Sequence, residues 1–354
     1  MAKKRLIVVH GMGTHTEASV KKEVVDAFDS AFNFYPSLKG KKAVDSFDII
    51  PVAYNSFFDD YRRQLAEQAG TLAEQLAAVD GSVHFTVQAA KTCNDVETQL
   101  GKDSFFTTHW LDVLLYYLTL LCEPVRLKVI EAVADSLAEV DGSEVHVLGH
   151  SLGTAVLHDA LAKAYGPENI KSDSGRVLNL STTTHRLGGV HMVANVSRAL
   201  QTFVAVGSSV VRPGEFGCTS NFIEYRHRLD PIAKIRQFNP TDNDGWVTHD
   251  VFKSAYQLIE PTTVAAANVH GLGHYLLAPM VHLPMFRLLF GFRPNKTEQS
   301  EGEAAYAQMA ALAKAQALQA AFGDLHFEEK DQIIALLKTA IKLRDMVVGF
   351  GEQF

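Results

Sequence analysis

The sequence predicts an α/β protein with a mostly parallel central sheet flanked by helices. Short apolar runs rich in β-branched residues alternate with amphipathic helical stretches, a pattern typical of parallel βαβ units. A largely helical insertion at about 57–140 interrupts this alternation, and the chain turns strongly helical again after residue 297. We therefore expect one α/β domain over 1–297 and a helical C-terminal extension over 298–354.

The first predicted unit is a strand, a helix and a second strand. The run "RLIVVHG" at 5–11 is a buried strand that ends at glycine. The next apolar positions recur every four residues and indicate an amphipathic helix that stops at Pro36: Val20, Val24, Phe28 and Phe32. The second strand, at 47–55, contains Pro51, which predicts a bulge or argues against a strand there.

The remaining elements follow the helical insertion. "EVHVLG" at 144–149 is a buried strand, and 152–165 is a helix. A polar loop is expected at 171–186. Three further strands are predicted at 201–209, 221–229 and 261–269.

Composition and charge exclude several classes of protein. The chain has 354 residues, 47% of them hydrophobic and 21% charged, which is typical of a globular protein. Its net charge is −7 with no long basic run, which argues against nucleic acid or an anionic membrane as the main partner. The longest apolar run, 113–122, is about half a membrane span. Three scattered cysteines and the absence of a signal-peptide pattern at the N-terminus favour a cytoplasmic protein without a membrane span.

The segment Gly149-His150-Ser151-Leu152-Gly153 stands at the junction of a predicted strand and a helix. Reactive groups in an open parallel sheet lie at the carboxyl ends of the strands. A serine presented there requires a sharp, strained turn, and glycine two positions away on either side avoids the resulting collisions. The following helix directs free N–H groups at the same point, where an oxyanion would form. This pattern predicts Ser151 as a nucleophile.

Two backbone N–H groups are expected to form an oxyanion hole. One belongs to Leu152, directly after the nucleophile, and the other to Met12, in the loop that follows the first strand. Gly11-Met12-Gly13 also begins a dinucleotide-binding pattern, but Thr16 occupies its last glycine position, so that interpretation fails. A Walker A motif is absent.

Asp230 is the predicted acid of a Ser-His-Asp triad. It directly follows the predicted strand 221–229, so its carboxylate would lie at a strand's carboxyl end. The structural alternative is an aspartate that only caps the turn before Pro231. Glu215 and Asp242 are rival acids, although neither directly follows a convincing strand.

Two histidines are candidates for the general base. His270 follows the predicted strand 261–269 and is the first choice, while His274 is the second choice on the first turn of a helix. The two could instead bind a metal as an i, i+4 pair, but no neighbouring glutamate completes a known metal motif. His150 is interpreted as a packing residue, and His10 as a residue that organises its loop.

Together these segments resemble the α/β-hydrolase superfamily, in its lipase and esterase branch. "VHVLGHSLGTAVLHDAL" looks like the nucleophile elbow, and "IVVHGMG" like the oxyanion loop. "YRHRLDPIAKI" is similar to the Asp-Pro-Val-Ala segment that carries the acid, and "NVHGLGHYL" to the His-x4-Tyr segment around the base. The resemblance covers about 5–290 and implies an α/β-hydrolase fold and acyl transfer without a cofactor or metal.

The expected function is hydrolysis of a small carboxylic ester, with an apolar acyl group suggested by the apolar helical insertion. This insertion is either the wall or lid of an acyl pocket or a core helix. Thioesterase, amidase and peptidase activity remain open. The competing class is a non-catalytic interaction protein, and the apolar stripe of the C-terminal helices allows a homodimer through helical segments.

Overall fold

The fold is described from a computed structural model. It describes residues 3–11, 15–54, 56–57, 122–200, 209–230, 233, 256–266 and 268–323, with the backbone alone at 199 and 314–323. Met12, Asp242, residues 201–208 of the predicted strand at 201–209, most of the helical insertion and the chain after 323 lie outside these residues.

The core of the described chain is a six-stranded, entirely parallel sheet in the order β2-β1-β3-β4-β5-β6. The strands are β1 (Arg5–Val9), β2 (Asp48–Val52), β3 (Val145–His150), β4 (Gly189–Val193), β5 (Phe222–Tyr225) and β6 (Tyr256–Ile259). The predicted parallel α/β architecture is therefore confirmed.

Helices cover both faces of this sheet. They are α1 (Glu17–Phe32), α2 (Ala43–Ser46), α3 (Cys122–Glu139), α4 (Leu152–Ala164), α5 (Ser197–Leu200), α6 (Leu272–Leu277), α7 (Pro279–Phe290) and α8 (Lys296–Gly323). Alternate side chains of the strands supply the two cores. Val145 and Val147 of β3 join the core formed with α3 and α4, whereas Leu148 joins the core formed with α1, α6 and α7.

β3 is a central strand, and this placement fixes the position of the residue after it. It pairs with β1 on one side and β4 on the other, and all six of its residues are buried. A strand buried on both faces is expected to be continuously apolar or small, as "VHVLG" nearly is. Ser151 consequently leaves the sheet between the carboxyl ends of β1 and β4.

The second strand forms at the edge of the sheet. Its register with β1 runs unbroken from Asp48 to Val52, and Pro51 lies opposite Val8, so there is no bulge at Pro51. An edge strand tolerates proline because one of its sides needs no ladder partner.

The structure differs from the strand predictions in three places. β4 was not predicted, because "GVHMV" combines glycine and histidine with only three apolar residues. β5 ends at Tyr225, not at residue 229, since the chain turns at 228–229. The predicted strand at 261–269 has no regular structure where it is described, and β6, the last strand of the described residues, precedes it.

The C-terminal helix α8 packs against the rest of the described chain through its first half. The Tyr306 hydroxyl donates to the Thr263 carbonyl oxygen at 3.2 Å. Gly302 lies so close to Tyr35 that a Cβ there would be 2.3 Å from the Tyr35 ring. α8 begins at Lys296, two residues before the predicted start of the extension, and the division into two units stays a prediction.

Within the part of the chain that the structure describes, no helix combines the length and the apolar character that crossing a membrane requires.

Candidate functional site

Ser151 occupies a strained turn between β3 and α4. Its φ of 53° and ψ of −126° lie where non-glycine residues are rarely found. Its N–H donates to the Val193 carbonyl of β4 at 3.0 Å, and its own carbonyl accepts the Thr154 N–H at 2.8 Å. The turn is therefore held by the neighbouring strand on one side and by the first turn of α4 on the other.

The flanking glycines are required by close backbone approach. A Cβ on Gly153 would lie 2.3 Å from the carbonyl oxygens of both Val9 and His10, because β1 passes directly over the start of α4. A Cβ on Gly149 would lie 2.9 Å from the Gly153 carbonyl oxygen. A side chain at either glycine would therefore collide with neighbouring backbone, as the sequence argument predicted.

Thr154 connects the Ser151 turn to the loop after β4. Its hydroxyl donates to the Ser151 carbonyl at 2.7 Å and accepts the Val196 N–H at 2.9 Å. That loop begins at Ala194, which with Ser151 is one of the two non-glycine residues of the described chain with positive φ. Two strained turns at adjacent strand ends are therefore joined through one buried hydroxyl.

His270 lies between Ser151 and Asp230. Its Nε2 is 2.8 Å from the Ser151 Oγ, and its Nδ1 is 2.8 Å from the Asp230 Oδ2. All three side chains are buried, with residue exposures of 1% for Ser151, 0% for Asp230 and 6% for His270. The structure thus brings together the three residues that the sequence named as a candidate triad.

Asp230 has several hydrogen-bond donors although it is fully buried. Its Oδ2 accepts from the Tyr275 hydroxyl at 2.8 Å, and its Oδ1 accepts from the Ala233 N–H at 3.3 Å. Burial alone would raise the pKa of this carboxyl, but the bonds from His270, Tyr275 and Ala233 outweigh it, so the pKa is lowered. An ionised Asp230 can only accept, which assigns the proton on His270 to Nδ1 and leaves Nε2 free to accept from Ser151.

Tyr275 is a residue to which sequence reasoning gave no role. Besides donating to Asp230, its hydroxyl accepts the His227 N–H at 2.8 Å, so it ties the carboxylate to the loop after β5. The His-x4-Tyr spacing was the available signal, but spacing alone does not say which partner a tyrosine finds.

His274 lies in a different environment. Its Nε2 accepts the Ala265 N–H at 3.1 Å, and its ring packs edge-on against His227 with the centroids 5.1 Å apart. Burial, together with the neighbouring His227, lowers its pKa. Among the described residues there is no group of three or more histidine, cysteine, aspartate or glutamate side chains suited to a metal ion.

The oxyanion side of the site is described in part. Leu152 is the first residue of α4 and is buried, whereas Met12 lies outside the described residues. The carbonyl of Gly11 accepts from His10 Nδ1–H and from the Tyr54 hydroxyl, which also donates to the His10 carbonyl at 2.7 Å. Burial lowers the pKa of His10 to about 3, so this histidine is neutral where it contacts the Gly11 carbonyl.

His150 makes a specific contact beyond packing. Its Nε2–H donates to the backbone carbonyl of His270 at 2.7 Å, and the two rings lie 5.1 Å apart. The sequence interpretation of His150 as only a packing residue is therefore incomplete.

The rival acid Glu215 lies away from the Ser151 turn. It is exposed in the loop that leads into β5, at the amino ends of the strands, whereas Ser151 is at the carboxyl ends. The other rival, Asp242, lies outside the described residues.

Comparisons with protein-family models, with curated proteins and with solved structures found no match to this chain.

Proposed function

We propose that the chain is a serine hydrolase of the α/β-hydrolase type that cleaves carboxylic esters through an acyl-enzyme. The observation that carries the proposal is the imidazole of His270, which lies 2.8 Å from both the Ser151 hydroxyl oxygen and an Asp230 carboxylate oxygen. A nucleophile within hydrogen-bond reach of a base, which is itself oriented by a carboxylate, is the arrangement that acyl transfer requires.

In the proposed reaction His270 is the general base. Its Nε2 takes the Ser151 hydroxyl proton as Oγ attacks the ester carbonyl, and it then returns that proton to the leaving alcohol. Water subsequently attacks the acyl-enzyme, with the same imidazole accepting its proton; the acyl–Oγ bond then breaks, the carboxylic acid leaves and His270 returns the proton to the Ser151 Oγ. The carboxylate of Asp230 holds His270 in the Nδ1–H tautomer and stabilises the imidazolium that forms, and the lowered pKa of Asp230 keeps the carboxylate ionised.

The oxyanion that forms during the attack needs N–H donors near the Ser151 Oγ. The N–H of Leu152 belongs to the first turn of α4, whose helix dipole favours negative charge at that end. We assign the second donor to Met12, because the resemblance of "IVVHGMG" to an oxyanion loop points to that position. The hydrogen bonds from His10 and Tyr54 to the Gly11 carbonyl hold the residue directly before Met12.

The proposed substrate class follows from the family resemblance and from composition. The resemblance to lipases and esterases, with the apolar run at 113–122, favours an ester with an apolar acyl group. A thioester or an amide would use the same three side chains, so these substrates remain the alternatives within the proposal.

A fluorophosphonate probe tests the proposal directly, because it reacts covalently with an activated serine. We expect the probe to label Ser151, as located by peptide mass spectrometry, and p-nitrophenyl butyrate to be hydrolysed. Ser151→Ala should abolish labelling and lower turnover by roughly 10⁴-fold or more.

Ser197 provides the matched control, since it is equally buried at 1% exposure and is the first residue of helix α5. Ser197→Ala should retain labelling at Ser151. An unlabelled wild-type protein without esterase, thioesterase or amidase activity would overturn the proposed function and favour a non-catalytic binding protein.

A further inference from the structure

The backbone of His270 is held by two side chains. Its carbonyl oxygen accepts the Nε2–H of His150 at 2.7 Å, and its N–H donates to the Asn268 Oδ1 at 3.1 Å. Asn268 belongs to the same loop as His270, whereas His150 is the last residue of the central strand β3. The bond from His150 is therefore the one that ties this backbone to the sheet.

The loop that carries His270 needs such a tie. β6 ends at Ile259, α6 begins at Leu272, and the described residues between them form no regular element. No strand ladder therefore sets the position of the imidazole. Catalysis is sensitive to position, since an error of about 1 Å can lower a rate by roughly 10²-fold.

His150 is uncharged, which suits a hydrogen-bond donor that lies next to the general base His270. Burial, together with the neighbouring His270, lowers the pKa of His150 to about 3, so the ring is neutral at ordinary pH and carries its proton on Nε2. A neutral ring at a centroid distance of 5.1 Å does not oppose the formation of positive charge on His270 as a cation would.

Burial of a histidine on this face of the sheet does not by itself produce such a bond. His146 and His191 lie on the same face as His150 and are even more deeply buried. Yet both ring nitrogens of His146 and the Nε2 of His191 have no hydrogen-bond partner among the described residues. The contact of His150 with the His270 carbonyl is thus a particular feature of the site.

We propose that His150 is a positioning residue. Its Nε2–H anchors the His270 carbonyl to the end of β3 and thereby keeps the His270 imidazole between Ser151 and Asp230. Because His150 precedes Ser151 directly, one rigid strand end fixes the nucleophile and the base relative to each other. The effect of His150 on turnover rests on the proposed function, whereas its effect on the geometry of His270 does not.

The test compares three substitutions that differ in reach and hydrogen bonding. His150→Gln keeps an N–H donor near the position of Nε2. His150→Asn carries the same donor on a shorter side chain, and His150→Leu removes the donor. We expect kcat for p-nitrophenyl butyrate to fall by roughly 10- to 100-fold in His150→Asn and His150→Leu. KM should change by less than about twofold, because the contact is to the base and not to the substrate. His150→Gln should recover most of the lost kcat.

His282 supplies the matched control. It is fully buried, and its Nδ1–H donates to the backbone carbonyl of Leu276 at 3.0 Å, but it contacts none of the three candidate triad residues. His282→Leu should lower thermal stability and leave kcat per folded molecule unchanged. A comparable loss of kcat in His282→Leu would assign the effect of His150 to general destabilisation and overturn the proposal.

A second readout does not depend on activity. The proton between His270 Nδ1 and Asp230 should give a low-field proton NMR resonance, which His270→Gln identifies by its loss. We expect this resonance to be lost or broadened in His150→Leu and His150→Asn and kept in His150→Gln. A wild-type protein that shows the resonance without hydrolysing any ester would contradict the proposed function alone.

The positioning role is overturned if His150→Asn keeps both wild-type kcat and the resonance, or if the Gln and Asn variants are equally impaired. If His150→Leu does not fold, the comparison of His150→Gln with His150→Asn still decides between these outcomes.

Discussion

The Nε2 of His270 lies 2.8 Å from the Ser151 Oγ, although 119 residues separate the two in the chain. The parallel sheet accounts for this proximity. Ser151 follows β3, and the loop that carries His270 follows β6, so both leave the sheet at its carboxyl edge. Asp230 reaches the same edge from the loop after β5, which places it 2.8 Å from the other nitrogen of the imidazole.

Replacement of Asp230 by asparagine should lower kcat by up to about 10⁴-fold, because an amide permits His270 to adopt the tautomer that cannot accept the Ser151 proton. The change is nearly isosteric and should leave the circular dichroism spectrum unaltered. Glu215→Gln, in the exposed loop before β5, is the control and should retain full activity. The reverse ranking of the two variants in steady-state kinetics would show that Asp230 is not the acid.

His270→Ala and His274→Ala should separate catalysis from structure. His270→Ala should lower kcat about as much as Ser151→Ala does, because members of a triad act as a unit. His274→Ala should instead lower the free energy of unfolding by about 2 kcal/mol, since it leaves the buried Ala265 N–H without its acceptor. Urea denaturation and esterase assays on both variants measure the two effects. A larger loss of kcat in His274→Ala than in His270→Ala would identify His274 as the general base and His270 as the structural residue.

Gly153→Ala should be strongly destabilising, because its Cβ would lie 2.3 Å from the carbonyl oxygens of Val9 and His10. We expect a loss of roughly 3 kcal/mol in the free energy of unfolding, at the upper end of overpacking effects, together with reduced activity. Gly273→Ala, on helix α6, is the matched control. Its Cβ would meet only Glu23, at 3.5 Å, so the change should be neutral or stabilising by up to about 1 kcal/mol. Equal stability of the two variants in urea would contradict the packing argument.

Glu224→Gln should stabilise the protein at alkaline pH but not at acidic pH. Burial of Glu224 on β5 raises its pKa to about 8, and the Tyr256 hydroxyl donates to its Oε2 at 3.1 Å. The folded state therefore binds this proton more tightly than the unfolded state, whose carboxyl has a pKa near 4.5. Wild-type stability should fall as the pH rises from about 4.5 to about 8 and then level off.

The Glu224→Gln substitution removes this loss of stability at high pH. Above pH 8 the gain should be on the order of 5 kcal/mol relative to wild type, and near pH 5 it should largely disappear. Urea denaturation at pH 5 and pH 9 measures the difference, with Glu215→Gln as the exposed control. A difference between wild type and Glu224→Gln that does not change with pH would exclude Glu224 as the group responsible.

Local sequence patterns were sufficient for several elements of the described fold. The apolar runs of β1 and β3, the four-residue periodicity of α1 and the Gly-x-Ser-x-Gly junction each contain their own signal, because strand burial and helix amphipathicity are set within a few residues. The candidate serine could be named for the same reason, since a strained turn needs glycines at fixed spacing. Asp230 and His270 were also named from the sequence, and their catalytic roles stay predictions.

Other features depended on contacts between distant segments. β4 was not predicted because the polar residue His191 interrupts its apolar run. His191 is buried because β3 and β5 flank this strand on either side. Similarly, the sequence favoured His270 over His274 through its resemblance to a His-x4-Tyr segment and through a strand at 261–269 that the described residues do not form.

The sequence by itself determined the fold class, the Ser151 turn and a short set of candidate partners for it. Only the tertiary structure decided that His270 lies between Ser151 and Asp230, that Tyr275 donates to the carboxylate and that His150 donates to the His270 backbone. These contacts join residues on different loops. The distances between these residues follow from the order of the strands in the sheet and from the position at which each loop ends. The spacing of residues along the chain encodes neither the strand order nor the loop positions.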